Sequence, residues 1–459
     1  MKSCGKCARL HPGLLQSNQA FHELLLRGVP IVVEENGVKR GSRAQLIDFT
    51  TPGKNRFLVV NQFTIQGSKG ERRPDIICFL NGLPIAVIEL KNPVKEQTGI
   101  WEAFNQFTTY KDEISDLFVF NEALVISDGI NARVGSLTAD KERFQPWRVI
   151  KNEDDRPLLE FELEKVVRGF FNPELLLDYL RYFVLFETGA DTEGGMVKKI
   201  AGYHQFHAMR TAVQTAVGAV LQAAPGVRKG GIVWHTQGSG KSISMACFVG
   251  KLIAQPEMKN PTIVVVTDRN DLDGQLFQTF KGVRGLLPEE PIQIESTEDL
   301  RSNLQGKQTG GIIFTTIQKF RPEKGATRFP LLSARENIVV IADEAHRSQN
   351  GLEARLNRET GQFTYGYATH LRDAFSNATF VGFTGTPIEK ADNDTRTIFG
   401  DYISIYDIQD AVDDGATVPI YYESRLAKLD INSEEIEQLN KDVDEILEDE
   451  ESIAEREST

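Results

Sequence analysis

Cysteine is scarce: Cys4, Cys7, Cys78 and Cys247 are the only four in 459 residues, too few and too scattered for a disulfide framework. Cys4 and Cys7 form a lone Cys-x-x-Cys with no second pair, so zinc would lack two ligands and the two read as frayed N-terminal thiols. Long apolar runs are missing as well. No segment approaches the ~18 apolar residues that span a bilayer, and the opening MKSCGKCARLHPG lacks the apolar stretch of a secretory signal. These absences predict a cytoplasmic chain with no membrane partner. Positive charge is in deficit too, 52 Lys and Arg against 65 Asp and Glu for a net of −13. At face value that sign argues against a polyanion as the main partner. The deficit is local, however. Residues 430–459 carry 13 acidic and 2 basic side chains, a net of −11, which leaves the preceding 429 residues at −2. The body of the chain is therefore compatible with a polyanion-binding groove.

What is present is ordinary globular composition, 40% hydrophobic and 25% charged, in a length that predicts about three domains. Residues 57–63 (FLVVNQF), 76–80 (IICFL), 85–90 (IAVIEL), 118–120 and 123–126 (ALVI) are short apolar runs rich in β-branched and aromatic residues, the pattern of strands in a small mixed sheet. Asn81-Gly82 between two of them is a hairpin signal, because both residues accept positive φ. Ile100, Ala103, Phe104, Phe107, Tyr110 and Ile114 recur at helical steps. Residues 1–157 thus read as one α/β domain. Residues 158–198 read as a helical connector, with Asn172-Pro173 capping a new helix and the turn formers TGADTEGG (188–195) marking a boundary.

A different rhythm fills 199–429. Five apolar strands, at 231–235, 262–267, 311–316, 338–342 and 379–383, are separated by helical stretches, the signature of a parallel sheet covered on both faces. Residues 430–459 read as an acidic tail, with Ile436, Leu439, Val443, Ile446 and Leu447 at amphipathic helical spacing.

The first of these strands runs into His235-Thr236-Gln237-Gly238-Ser239-Gly240-Lys241-Ser242 and then a helical run. Gly238 and Gly240 let the backbone curl so that successive N–H groups, including those of Thr236 and Ser239, face a phosphate. Lys241 can reach the β- and γ-phosphates of ATP and Ser242 can ligate Mg²⁺. His235 departs from the strict pattern, which begins with Gly. The strand at 338–342 ends in Asp343-Glu344-Ala345-His346, where Asp343 can hold Mg²⁺ and Glu344 can orient or deprotonate the attacking water. The two halves together point to ATP hydrolysis.

Asp343-Glu344-Ala345-His346 resembles the DEAH box of superfamily 2 helicases and translocases, and further strings follow that family's order. The resemblance implies that Gln205 reads adenine, and that Thr267-Asp268-Arg269 and Thr315-Thr316 belong to nucleic-acid-contacting segments. It also implies that Thr384-Gly385-Thr386-Pro387 couples ATP state to domain movement, with His346, Thr384 and Thr386 part of the nucleotide machinery. In the first domain, Asp75 is followed after thirteen residues by Glu89-Leu90-Lys91, and Gln106-x-x-x-Tyr110 follows on the expected helix. This set resembles the PD-(D/E)xK nucleases. A fold at Asn81-Gly82 returns Asp75 alongside Glu89, and Glu89 and Lys91, two apart on a strand, face one side. Two carboxylates can then hold Mg²⁺ against a scissile phosphate, with Lys91 stabilising the developing charge.

A metal nuclease preceding such a motor resembles the restriction (R) subunit of type I restriction-modification enzymes, on the strings Val60-Asn61-Gln62-Phe63, Arg73-Pro74-Asp75, Asn81-Gly82-Leu83-Pro84, Glu89-Leu90-Lys91-Asn92-Pro93 and Trp234 through Ser242. The resemblance, from about Phe21 to Tyr422, implies a nuclease-type mixed sheet followed by one RecA-like P-loop domain. It further implies ATP-driven translocation of double-stranded DNA and remote Mg²⁺-dependent cleavage, within a complex with modification and specificity subunits. No Gln-x-x-Gly-Arg-x-x-Arg string of a second motor lobe follows Pro387 in these 459 residues, so the chain alone is expected to bind ATP and turn it over poorly. The competing readings are a type III-like nuclease-helicase and an inactive module that docks on DNA or on partner subunits.

Overall fold

A computed structural model describes residues 13–36, 38–67, 69–92, 99–157, 161–188, 195–222, 228–268, 270–283, 285–323, 326–345, 355–356, 363–364, 367–386 and 392–418. His346, Arg269, Pro387, the N-terminal cysteines and the acidic tail lie outside them. No described helix is long and apolar enough to cross a membrane.

Helix α1 (Leu14–Arg27) leads into a two-stranded ribbon of β1 (Val29–Glu35) and β2 (Val38–Ala44). There follow β3 (Phe57–Asn61), the short pair β4 (Ile65–Gly67) and β5 (Gly70–Arg72), then β6 (Ile76–Leu80) and β7 (Leu83–Leu90). After α2 (Ile100–Glu113) and α3 (Ser115–Phe118) come β8 (Ala123–Ser127) and β9 (Ala132–Gly135). Strands β3, β6, β7, β8 and β9 form one mixed sheet in that spatial order. Its neighbours are antiparallel except β7 and β8, whose parallel pairing needs the crossover that α2 and α3 supply.

The β6–β7 turn forms where Asn81-Gly82 places it. Both residues adopt positive φ, 52° and 85°, which matches the twist of the flanking strands, and Leu80 pairs with Leu83. Residues 118–120 are not a strand, contrary to their apolar composition. Phe118 is fully buried at the end of α3, and the chain turns before pairing begins at Ala123.

The connector begins with α4 (Glu162–Lys165), a π-helical turn over Val166–Phe170, and α5 (Pro173–Tyr182). The Asn172 side chain accepts from the Glu174 and Leu175 amides, and Pro173 occupies the first turn, as its sequence requires. Helix does not continue through the connector: β10 (Val184–Glu187) pairs antiparallel with β11 (Val197–Ile200). Val184, Leu185 and Phe186 favour extended backbone.

The second sheet is wholly parallel. In chain order come α6 (Tyr203–Gln222), β12 (Lys229–His235), α7 (Lys241–Ile253), β13 (Thr262–Thr267), α8 (Asn270–Gly282), β14 (Ile292–Gln293), α9 (Thr297–Leu304), β15 (Ile312–Thr316) and β16 (Ile338–Ala342). Then follow the small pair β17 (Arg355–Leu356) and β18 (Phe363–Thr364), α10 (Tyr367–Ala374), β19 (Thr379–Thr384), α11 (Asp392–Phe399), β20 (Tyr402–Tyr406) and α12 (Ile408–Asp413). The sheet order is β14-β15-β13-β16-β19-β12-β20. The five apolar runs are its five central strands. The edges escaped the pattern because β14 is two exposed residues and β20 is only partly buried.

One apolar core fills the far face of this sheet, around Val264, Ile313, Val340 and Phe380. The other runs without interruption from the first sheet to α7 and α8. Its middle is aromatic: Trp147 meets Phe170 edge-on at 5.1 Å, and Phe183 meets Phe206 at 4.8 Å. A buried polar knot pins three elements together. Lys198 of β11 donates to Asn18 of α1 (2.9 Å), to the Asn121 carbonyl (2.6 Å) and to Glu122 before β8 (3.0 Å).

Candidate active site and nucleotide site

The carboxyl end of β7 brings together all five residues that the first-domain pattern singled out. Glu89 is 1% exposed and Lys91 Nζ lies 3.1 Å from its Oε1, both on one face of the strand. The same Nζ donates to Gln106 Oε1 at 2.6 Å, and the Gln106 amide donates to the Tyr110 hydroxyl at 2.5 Å. Tyr110 in turn donates to the Arg73 carbonyl at 3.4 Å, closing a loop of bonds between α2 and the entrance to β6. Asp75 reaches the same point from the preceding turn and accepts the Leu90 amide at 2.8 Å.

Burial, and secondarily the charge of Asp75, push the Glu89 carboxyl up to about 7, against the pull of Lys91. Glu89 Oε2 is buried with no hydrogen-bond partner. An oxygen left in that state is costly unless something else meets it. Among the described residues no group of three or more His, Cys, Asp or Glu converges as a metal cluster. Two carboxylates with water completing the shell is how Mg²⁺ is ordinarily held, so Asp75 and Glu89 fit it.

Gln62 has no role in the sequence pattern, yet the structure sets it against Asp75. Its side-chain amide donates to Asp75 Oδ1 at 2.8 Å and its backbone amide to the Asp75 carbonyl at 3.0 Å, with φ at +50°. A non-glycine residue held in that region is uncommon, and no local sequence signal announced it. Glu23 lies exposed on α1.

The second site forms where three neighbouring strands end. β12 delivers the loop 236–240, β16 delivers Asp343 and Glu344, and β19, lying between them, delivers Thr384 to Thr386. Gly238 and Gly240 have φ of +86° and +80°, the left-handed turns that a phosphate-cradling loop needs. Lys241 opens α7 and its Nζ rests 3.3 Å from the His235 carbonyl, with Ser242 half-buried behind it. Ser239 Oγ is buried and unpartnered. Burial first, then the charge of Glu344, raise the Asp343 carboxyl to about 6, and Lys241 opposes them.

Gly385 passes so close that a Cβ there would stand 2.8 Å from Lys241 Nζ, which ties the Thr384–Thr386 turn to the loop. Thr384 Oγ1 donates to the Thr386 carbonyl at 3.0 Å. Gln205 reaches the loop from α6, its amide donating to the carbonyls of Ser239 (3.1 Å) and Gly240 (3.0 Å). Thr267, Thr315 and Thr316 are buried at their strand ends, so their side chains are not surfaces for nucleic acid.

Residues 204–454 match the SWI2/SNF2 ATPase family, and residues 5–143 match the type I restriction enzyme R protein N terminus. The type I restriction enzyme HindI endonuclease subunit of Haemophilus influenzae is 52% identical over 96% of this chain and 41% of its own length. The type I restriction enzyme SauMSSORF170P endonuclease subunit of Staphylococcus aureus is 31% identical over 79% of this chain and 36% of its own. The chain thus spans about two-fifths of the length of these relatives. Among solved structures, the Sulfolobus solfataricus SWI2/SNF2 ATPase core in complex with double-stranded DNA aligns with 43% of this chain and 35% of its own at 14% identity. Its TM-score is 0.27, so the fold assignment rests on strand order and not on that match.

Proposed function

Because the chain belongs to the SWI2/SNF2 ATPase family and carries the N-terminal domain of type I restriction enzyme R proteins, we propose that it forms the nuclease and first motor lobe of an ATP-dependent type I restriction endonuclease. Hydrolysis of ATP drives movement along double-stranded DNA, and Mg²⁺-dependent cleavage occurs in the first domain. Modification and specificity subunits complete the enzyme, which works in the cytoplasm. The observation that carries this reading is the hydrogen-bonded chain Glu89–Lys91–Gln106–Tyr110 beside Asp75.

In that set Asp75 and Glu89 would hold Mg²⁺, which supplies Lewis-acid polarisation of the scissile phosphate and a lowered pKa for attacking water. Glu89 must give up its proton to do so. Lys91 stands ready to neutralise charge developing on the phosphate oxygens, and Gln106, itself held by Tyr110, fixes the direction of its ammonium. In the motor, Lys241 with the amides of Gln237, Gly238 and Gly240 takes the ATP phosphates, whereas the Thr236 and Ser239 amides, expected from the sequence to face a phosphate, are bonded to the Tyr406 and Thr236 carbonyls. Ser242 and Asp343 would hold its Mg²⁺, and Glu344 orients water. We assign Thr384 and Thr386, whose intervening Gly385 passes close to Lys241, to sensing the γ-phosphate.

The test is the R subunit assembled with its partners, assayed for cleavage of a target plasmid and for ATP turnover together. Lys91→Ala is expected to lose cleavage by about 100-fold or more while ATP turnover continues. Lys241→Ala is expected to lose both. If Lys91→Ala cleaves as well as the parent while Lys241→Ala abolishes translocation, the nuclease assignment is wrong.

A further inference from the structure

The segment that follows β9 does not stop at its own sheet. It extends to β20 and α12, which lie beside the phosphate loop. Arg156 donates to Asp410 at 2.8 Å, and Arg148 donates to Asp414 Oδ1 at 2.8 Å and to the Asp413 carbonyl at 2.9 Å. The other oxygen of Asp414, a residue only 6% exposed, accepts the Tyr406 hydroxyl at 2.9 Å. Tyr406 then reaches the loop by two routes, one direct and one through His204 of α6. Its carbonyl accepts the Thr236 amide at 2.9 Å, and its ring stacks on His204 at 3.9 Å, whose Nε2 lies 3.4 Å from the Ser239 carbonyl.

A second line of bonds is shorter and ends on the loop's first residue. Ser404 of β20, itself buried, donates its hydroxyl to Glu153 at 2.8 Å. The His235 ring Nε2 lies 2.8 Å from the same hydroxyl on its other side, and a hydroxyl that gives its one proton to an ionised Glu153 accepts from that nitrogen. His235 is fully buried and its Nδ1 has no partner, so among the described residues the bond from Nε2 to Ser404 is the one hydrogen bond that orients the ring. The position that glycine holds in the strict loop pattern is thus held here by a histidine whose orientation is set from the first-domain side.

We propose that Glu153 is a positioning residue for the nucleotide site: through Ser404 it fixes His235 at the head of the phosphate loop, so nucleotide affinity depends on a side chain outside the motor lobe. The proposal rests on the reading of 236–242 as a nucleotide loop. The Arg148–Asp414–Tyr406 line holds the same strand, so the loop's entrance is braced from two points. Binding linkage is reciprocal, so a nucleotide that orders the loop also tightens the junction.

The experiment is titration of the 459-residue chain with a fluorescent methylanthraniloyl-ADP and Mg²⁺, with the thermal midpoint recorded for each variant. Glu153→Ala and Ser404→Ala should each weaken binding about tenfold. The double variant should be no weaker than either single, because both cut one line of bonds. Glu153→Gln, which keeps an acceptor oxygen, should stay within about twofold of the parent. A merely structural contact would lower the thermal midpoint and leave affinity alone, and that result overturns the proposal, as would additive losses in the double variant. Lys241→Ala separates the two levels. If it binds like the parent, the loop reading itself fails. If it loses binding while Glu153→Ala and Ser404→Ala bind like the parent, the loop stands and the positioning role of Glu153 does not.

Discussion

Replacing Glu89 with glutamine should make the protein more stable at alkaline pH while removing a ligand of the proposed metal site. Glu89 is 1% exposed, one of its oxygens is unpartnered, and its carboxyl is raised from 4.5 to about 7 by burial and by Asp75. A raised carboxyl pKa means that the folded state holds the proton more tightly than the unfolded one. Stability from this group is therefore fully present below the unfolded value near 4.5, and is lost as pH rises through the folded value near 7. Above that window the parent carries an ionised buried carboxylate whose cost has an upper bound of ~3.5 kcal/mol, at ~1.4 kcal/mol per pKa unit. Glu89→Gln cannot ionise and escapes that cost, though it weakens the bond from Lys91. The net expectation is a gain of ~1–3 kcal/mol at pH 8 and little change at pH 5. Urea unfolding followed by a probe in the first domain reads this directly. Mg²⁺ at millimolar concentration should stabilise the parent at pH 8 and leave the variant unmoved. A variant less stable than the parent at pH 8, with the parent indifferent to Mg²⁺, would mean that Glu89 is a structural partner of Lys91, and the metal reading of this carboxylate would fall.

Other outcomes follow from the same contacts. Gln62→Ala frees Asp75 Oδ1 while the Leu90 amide still holds Oδ2, so the Mg²⁺ concentration for half-maximal cleavage should rise about tenfold, and an unchanged requirement would remove Gln62 from the site. Lys198→Met strips the buried knot of its cation and leaves Glu122 facing His22 alone, for an expected loss of ~3–5 kcal/mol in urea unfolding. Adding Glu122→Leu should recover most of that loss, since it removes the uncompensated charge. A double variant as unstable as the single would show that shape, and not charge, sets the cost.

The site was more legible than the fold around it. Resemblance singled out Asp75, Glu89, Lys91, Gln106 and Tyr110, and spacing could set them near one another because a tight hairpin and a single helix turn convert sequence distance into position with little freedom. The central strands of the second sheet were legible because burial on both faces makes them continuous apolar runs. The strands that escaped are ones whose pattern is set by partners: β20 takes its place from β12, and β10 exists only because β11 returns beside it. Gln62 and Glu153 escaped for a related reason. Each acts on a residue far from it in sequence, Asp75 through a backbone turn and His235 through Ser404, and no periodicity encodes such a bond. Resemblance placed Thr267, Thr315 and Thr316 in segments that touch nucleic acid, whereas their side chains face the protein interior.

The central claim is that one chain holds two separate divalent-cation sites, one in the nuclease domain and one that forms only with ATP. Equilibrium binding of Mn²⁺ in place of Mg²⁺, followed by electron paramagnetic resonance with and without ATP, tests it directly. One site should be present without nucleotide and vanish in Glu89→Gln, and a second should appear with ATP and vanish in Lys241→Ala. A single site that survives Glu89→Gln, or an ATP-dependent site indifferent to Lys241→Ala, would contradict the account.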